Sequence, residues 1–136
     1  MYKVVFYEDS QGHSELYEQI LELAAKSKNN KDARIQHKQI FFYIELLKNQ
    51  GSNLPTNISK HLQENIYELR PGNNRVLYFF YINDTYVLLH MFRKKTQKTP
   101  KSETEKAIKE RNDFLKRKGG GQKWELGKTT KKKQRG

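Results

Sequence analysis

The sequence predicts a small α+β domain, in which a helical hairpin and a C-terminal helix pack on a largely antiparallel β-sheet. Three segments of the 136-residue chain carry apolar residues at helical spacing. Between the second and the third of them, three β-branched and aromatic runs follow one another through short turns, which is typical of antiparallel strands. A chain of this length fits one domain.

The N-terminal part of the chain predicts one strand followed by two helices. The run "YKVVFYED" (2–9) favours a strand because it is rich in β-branched and aromatic residues. From about Ser14 the spacing becomes helical, and a second helix is predicted from about Lys31 to Gly51, after a short polar break. The expected buried stripes are Leu16, Ile20, Leu23 and Ala24 in the first helix, and Ile35, Ile40, Phe41, Ile44 and Leu47 in the second.

The middle of the chain predicts a loop and then three strands. Residues 52–62 are expected to be a loop, and strands are expected at 65–70, 75–82 and 85–93. The turn sequence "PGNN" separates the first pair of strands, and "ND" separates the second pair. The last two strands are apolar on both faces, which indicates central positions in a covered sheet.

The C-terminal part predicts a helix followed by a basic tail. The helix is expected to begin around Thr99–Pro100, with threonine as the N-cap, and to end near Lys118. Ser102 and Glu105 form a competing capping box, which would place the start a few residues later. Its inner side is expected to consist of Ala107, Ile108, Arg111, Phe114 and Leu115. Residues 1–118 therefore form the predicted domain, and residues 119–136, which have no periodicity, are predicted to be flexible.

The net positive charge of the chain comes entirely from its last third. Residues 1–92 carry ten Lys/Arg and ten Asp/Glu, whereas residues 93–136 carry seventeen and five, which accounts for the net charge of +12. Such an asymmetry indicates a polyanionic partner, most commonly nucleic acid. No apolar run is long enough to span a membrane and no secretory signal is evident, so we expect a cytoplasmic protein. The chain has no cysteine and its histidines are scattered, so neither a metal site nor another cofactor is expected.

Several basic residues fall at strand ends that a hairpin sheet would bring together. Arg70 closes one predicted strand and Arg75 opens the next. If the last two strands pair through a turn at Asn83-Asp84, two residues lie opposite each other when their residue numbers add up to 167. Arg75 would then face Phe92. Lys94 and Lys95 follow directly. Guanidinium groups beside an aromatic ring are suited to single-stranded RNA, because the guanidinium binds phosphate and the ring stacks on a base.

The same cluster could cleave RNA without a metal ion, because the 2′-OH of the substrate can attack the adjacent phosphorus. Such a reaction needs a base, an acid and cations that stabilise charge on the phosphoryl oxygens. The candidate catalytic residues are Arg70, Arg75, Lys94, Lys95 and His90. The candidate RNA-binding residues are Phe92, Arg93, Lys98 and Lys101.

The runs "IYELR", "RVLY" and "VLLHMFRKKTQKTP" resemble the RelE/HigB-type toxins, and specifically the HigB branch related to phage-derived Gp49-like proteins. The resemblance covers roughly residues 2–117, and its specific part is 66–107. It implies a RelE-like fold and a ribosome-dependent mRNA endonuclease that arrests growth. It also implies a HigA-like helix-turn-helix antitoxin as partner, commonly in a heterotetramer. In this resemblance Arg70 matches an arginine at a strand end, Arg75 matches the arginine that contacts the scissile phosphate, and Lys94 and Lys95 match a basic site.

One departure from the RelE pattern leaves the general base open. RelE itself has lysines on the strand that leads into the first arginine, whereas this chain has Ile66 and Glu68 there. The candidates for the base are Lys94, Lys95, His90 and Glu68, in that order.

Each candidate residue also has a structural explanation. Arg70 could form a salt bridge with Glu64 or Glu68, Phe92 could belong to the core, and His90 could be a hydrogen-bonded sheet residue. Two other functions stay open at this point. One is a non-catalytic RNA- or ribosome-binding module, and the other is a protein-interaction role in which the helix at 100–118 binds an acidic partner.

Overall fold

The computed structural model describes residues 1–119, so the predicted tail lies outside the described residues apart from Gly119. The elements in chain order are β1 (Lys3–Phe6), α1 (Glu15–Lys26), α2 (Lys31–Gln50), β2 (Ser59–Gln63), β3 (Ile66–Leu69), β4 (Asn74–Phe80), β5 (Thr85–Arg93) and α3 (Lys101–Gly119). None of the helices within residues 1–119 combines the length and the apolar character needed to cross a membrane.

The sheet has five strands in the order β1-β5-β4-β3-β2. β1 pairs with β5 in parallel, and the other three pairings are antiparallel. One core cluster joins α1 and α2 to one face of the sheet, and a second cluster joins α3 to the opposite face. The predicted α+β class is therefore confirmed, and β4 and β5 occupy the covered central positions that their apolar sequences indicated.

The helical hairpin forms where the sequence predicted it. The side chain of Ser14 caps α1 by accepting a hydrogen bond from the N–H of Tyr17 at 3.1 Å, and Asn30 caps α2 through the N–H of Ala33 at 2.8 Å. The predicted stripe of α2 was wrong at two positions, because Ile35 and Phe41 are 45% and 48% exposed. Ile40, Ile44 and Leu47 are buried as predicted and pack on the sheet, and Ala33 is buried as well.

The predicted loop at 52–62 was wrong in its last part, because residues 59–63 form the edge strand β2. Lys60, His61 and Gln63 are exposed, so the strand lacks the apolar alternation by which a half-buried strand is recognised. Its stability comes from antiparallel pairing with β3 and from a 2.5 Å hydrogen bond between the hydroxyls of Ser59 and Tyr78.

The predicted register of β4 and β5 is confirmed at the end of the hairpin that carries the candidate site. Arg75 lies opposite Phe92, and Val76 lies opposite Met91. A β-bulge beyond Leu77 then shifts the pairing by one residue, so that Phe80 lies opposite Tyr86. The register predicted from a two-residue turn at Asn83-Asp84 was therefore wrong at the turn end of the hairpin. Because of the bulge, Leu89 and His90 both face α3, where Leu89 joins the core and His90 contacts helix side chains.

The helix α3 begins two residues later than its predicted cap and covers the middle of its sheet face. Ala107 and Phe114 are buried in the core, as predicted, whereas Leu115 is 39% exposed. Glu103 in the first turn contacts His90 of β5. Phe92, further along β5, is only partly buried against the same core cluster.

Candidate active site

Two arginines at the turn between β3 and β4 share one buried carboxylate. The Nε of Arg70 lies 3.4 Å from Oε2 of Glu68, and the Nε of Arg75 lies 3.9 Å from the same oxygen. Glu68 is 1% exposed and Arg75 is 7% exposed. The predicted convergence of the two arginines is therefore observed, and Glu68 lies at its centre. We name the group formed by Glu68, Arg70 and Arg75 the arginine cluster.

The turn between these strands holds the guanidinium of Arg75 in place. The N–H of Asn74 donates to the carbonyl of Pro71 at 3.0 Å, and Gly72 has a φ of +63°, a left-handed conformation that glycine adopts without strain. The Nη1 of Arg75 donates to the carbonyls of Gly72 and Asn74, both at 2.8 Å. The turn thus fixes the direction of the Arg75 side chain.

The arginine cluster carries an excess of positive charge in a poorly solvated position. Burial lowers the pKa of the Arg75 guanidinium below its ordinary value, and the charge of Arg70 lowers this pKa further, while Glu68 opposes both effects. One carboxylate balances one of the two guanidiniums. The Nε of Arg70 is also buried, with no hydrogen-bond partner among residues 1–119. An incoming phosphate would supply the missing negative charge and acceptors.

Two further contacts fix the cluster to neighbouring segments. The hydroxyl of Thr99 donates to Oε1 of Glu68, which connects β3 to the segment that precedes α3. The Nη1 of Arg70 donates to the carbonyl of Thr56 at 3.2 Å. The side chains of the cluster are therefore held by three separate parts of the chain.

Phe92 and Lys94 lie at the same end of the sheet as the arginines. Phe92 is half-buried and lies directly opposite Arg75. The N–H of Lys94 donates to the carbonyl of Asn73 at 2.8 Å, so its backbone is joined to the arginine turn. Alternation along β5 places Phe92 and Lys94 on the same side of the chain. Lys95 is the next residue and is exposed.

The other predicted RNA-binding residues are not part of this group. Arg93 lies opposite Asn74, whose side chain donates to Gln36 of α2 at 3.1 Å, so Arg93 is on the other face of the sheet. Lys98 is exposed, and Lys101 is 88% exposed and 3.9 Å from Glu105. Both lysines border a groove next to the cluster.

His90 is on the same face but is enclosed under α3. It is 1% exposed, with Nδ1 2.6 Å from Glu110 and Nε2 2.9 Å from Glu103. Both ring nitrogens of His90 are therefore in contact with carboxylates of α3. The geometry makes His90 an anchor for α3.

Sequence reasoning underestimated Glu68 and missed Thr99. The sequence does contain a signal for Glu68, because two-residue alternation places Glu68 and Arg70 on one face of β3. The observed pairing of Leu69 with Val76, continued by one residue, places Arg70 opposite Arg75. Thr99 had been expected as a helix cap, and no sequence pattern connects it to a strand 31 residues earlier.

A known protein family matches more than half of this chain. The family described as "Phage derived protein Gp49-like (DUF891)" matches residues 27–112, which include the arginine cluster. The fold is similar to that of two toxin–antitoxin structures from Staphylococcus aureus. One is a YoeB-YefM complex (14% identity) and the other a heterotetrameric YoeB-YefM toxin–antitoxin complex (13% identity). Each match has a TM-score of 0.45 and covers 71% of this chain and 99% of the other. A comparison with curated proteins gave no significant match.

Proposed function

The chain belongs to the phage-derived Gp49-like family, a toxin family of the RelE superfamily, and we propose that it is an endoribonuclease that cleaves mRNA on the ribosome. The observation that carries this proposal is the arginine cluster, in which two guanidiniums lie 3.4 and 3.9 Å from one buried carboxylate oxygen. Their excess charge and the adjacent aromatic ring suit a single-stranded RNA substrate.

The arginine cluster would bind the scissile phosphate. Arg70 and Arg75 offer guanidinium N–H donors, and planar guanidiniums match the geometry of phosphate oxygens. The ring of Phe92, opposite Arg75, would stack on a base and orient the nucleotide. Glu68 is a positioning residue in this scheme, because it holds both guanidiniums and leaves them with net positive charge.

The proposed reaction is an internal transfer on the RNA. The 2′-oxygen attacks the adjacent phosphorus, and the bond between phosphorus and the 5′-oxygen breaks. One group accepts the proton of the 2′-OH, and another donates a proton to the departing 5′-oxygen. The products are a 2′,3′-cyclic phosphate and a 5′-hydroxyl end. Arg70 and Arg75 would stabilise the charge that grows on the phosphoryl oxygens.

We assign the proton transfers to Lys94 and Lys95. An ammonium group can donate a proton to the 5′-oxygen, and a lysine in its neutral form can accept one from the 2′-OH. The two other candidates have their polar atoms engaged elsewhere: Glu68 accepts from Thr99 and faces two guanidiniums, and His90 contacts two carboxylates of α3. His90 and Glu68 therefore support the site without taking part in proton transfer.

The proposed partner is a HigA-like helix-turn-helix antitoxin in the cytoplasm, in a heterotetramer of two toxins and two antitoxins. A toxin of this superfamily requires a neutralising partner in the cell that produces it. Co-expression with the product of a short neighbouring reading frame of helix-turn-helix type should restore growth and yield a stable complex. Growth arrest that no neighbouring product relieves would contradict this part of the proposal.

The test of the nuclease is to sequence RNA 5′ ends after induced expression. The wild type should produce new 5′-hydroxyl ends inside reading frames, and Arg75→Ala and Lys95→Ala should abolish them. Lys38→Ala is the control, because Lys38 is an exposed lysine of α2. If the wild type binds ribosomes but produces no such ends, the protein is a non-catalytic RNA-binding module. Full arrest by both site variants would show that the residues are wrongly assigned.

A further inference from the structure

We propose that a groove between β2 and the segment 96–101 binds the RNA chain adjacent to the phosphate that is cleaved. This inference rests on the proposed function. We name this groove the β2 groove, and its volume is about 690 Å³. Its lining residues are Lys60, His61, Leu62, Gln63, Thr96, Lys98, Thr99, Pro100, Lys101 and Thr104.

The lining of the β2 groove is cationic. Lys60, Lys98 and Lys101 are all exposed, and no aspartate or glutamate lines the groove. Lys101 lies 3.9 Å from Glu105, and exposed pairs of this kind contribute little. Glu68, the cross-strand neighbour of Lys60, already faces Arg70 and Arg75. The groove therefore attracts a chain of negative charges, and hydrated lysines act as point charges toward phosphate.

The β2 groove is continuous with the arginine cluster. Thr99 lines the groove, and its hydroxyl donates to Glu68. Lys60 lies opposite Glu68 in the pairing of β2 with β3, so the two side chains are direct cross-strand neighbours on one face. An RNA strand with one phosphate at Arg70 and Arg75 can therefore continue past Glu68 into the groove.

The polar lining also suits a single strand. The hydroxyl of Thr96 and the amide of Gln63 can bond to sugars and base edges. The exposed ring of His61 is kept in place by a 2.5 Å contact between its Nε2 and the carbonyl of Glu64 and by packing 5.1 Å from the ring of Tyr67. Only Leu62 and Pro100 are apolar in the lining, whereas protein interfaces usually bury apolar and aromatic anchors. The lining thus favours nucleic acid over a protein partner.

The test measures binding without cleavage. The probe is a short fluorescein-labelled single strand made of 2′-deoxynucleotides, which has phosphates but no 2′-OH to attack. Binding is followed by anisotropy over a series of salt concentrations. Lys60→Ala and Lys98→Ala should each lower the salt slope by about 0.7, the value for one lost phosphate contact on a single strand. At about 0.1 M salt this corresponds to about fivefold weaker binding. Lys38→Ala should leave the slope unchanged.

The outcomes separate this inference from the proposed function. If Lys60→Ala and Lys98→Ala bind the probe as Lys38→Ala does, while the wild type still produces 5′-hydroxyl ends, the groove is not an RNA site and the nuclease stands. If Lys60→Glu weakens binding of the antitoxin and not of the probe, the groove is a protein interface and the inference is overturned. If the groove variants lose probe affinity while the wild type produces no 5′-hydroxyl ends, the groove binds nucleic acid but the nuclease proposal fails.

Discussion

The hydroxyl of Thr99 donates a hydrogen bond to the carboxylate of Glu68, and this bond links the segment before α3 to the strand β3. The other oxygen of the same carboxylate faces Arg70 and Arg75. One buried acid thus holds two guanidiniums and the start of the C-terminal helix in a fixed relation. Its removal should affect both the stability of the domain and the geometry of the site.

Glu68→Gln should lower the free energy of unfolding by about 3 kcal/mol. The substitution leaves two neighbouring guanidiniums without a carboxylate, and breaking a buried ion pair typically costs about 3–5 kcal/mol. We expect the lower end because the side chain of Arg70 is 22% exposed. Urea unfolding measures the change. Glu45→Gln, which removes an exposed partner of Lys48 at 3.4 Å, should change stability by less than about 1 kcal/mol. Equal effects of the two substitutions would contradict the role of Glu68.

Arg75→Lys should reduce the cleavage rate by about 10²-fold, which is typical for the loss of one well-placed donor to a developing negative charge. Lysine keeps the charge but lacks the planar fork that contacts the carbonyls of Gly72 and Asn74. Affinity for the uncleavable probe should change much less. Single-turnover cleavage and anisotropy measure the two effects. Arg34→Lys on α2 is the matched control, and an unchanged rate in Arg75→Lys would argue against a contact with the phosphate.

His90→Ala should destabilise the protein by about 3 kcal/mol, because it removes the buried ring whose two nitrogens contact Glu103 and Glu110 of α3. Cleavage by the folded fraction should remain within about tenfold of the wild type, since removal of a true general acid or base costs about 10²–10⁴-fold. Thermal unfolding and cleavage assays below the transition check both points. His13→Ala, at an exposed position, should be neutral. Unchanged stability with lost cleavage would restore His90 as a catalytic residue.

Tyr7 should make the stability of the protein depend on pH at alkaline values. Burial raises the pKa of Tyr7 to about 12, and its hydrogen bond to Asp113 at 2.7 Å adds to this shift. A raised folded-state pKa means that the stabilisation is fully present below about pH 10, the ordinary tyrosine value, and is lost as the pH rises through the folded value. The difference in unfolding free energy between the wild type and Tyr7→Phe should therefore shrink from about pH 10 to 12. If this difference stayed constant over that pH range, the ionisation of the Tyr7 hydroxyl would not be coupled to folding.

Gly72→Ala should destabilise the arginine turn by more than Gly12→Ala destabilises its own loop. Both glycines have positive φ, +63° and +82°, and a left-handed conformation costs an L-residue about 1–2 kcal/mol. A Cβ at Gly72 would also contact the side chain of Gln39, whereas one at Gly12 meets nothing within 4 Å. Urea unfolding measures the loss of stability in each variant, and the difference between the two losses is the cost of the contact with Gln39. In the Gln39→Ala background, Gly72→Ala should cost no more stability than Gly12→Ala. If the two glycine substitutions already cost the same with Gln39 present, the side chain of Gln39 moves away freely.

The sequence by itself determined the helices and the central strands. Helical spacing and polar caps define α1 and α2, and apolar runs bounded by turn residues define β4 and β5. Arg75 lies opposite Phe92 as predicted, but the two-residue turn at Asn83-Asp84 is not the reason. Phe80 pairs with Tyr86 next to the turn, one position off the predicted register, and the bulge beyond Leu77 restores that register at the site. The helices and the central strands are local features, because they follow from the spacing of apolar residues and from the turn residues that bound them.

The tertiary structure alone decided the edge strand, the bulge and the surroundings of the polar residues. β2 has no apolar alternation, and it is a strand because β3 offers it hydrogen bonds. The bulge in β5 turned His90 toward two carboxylates of α3, and Thr99 reached Glu68 across 31 residues. Whether a charged side chain is buried and which partner it finds depend on segments far apart in the chain. No periodicity encodes those contacts, because they form only when the helix and the sheet pack together.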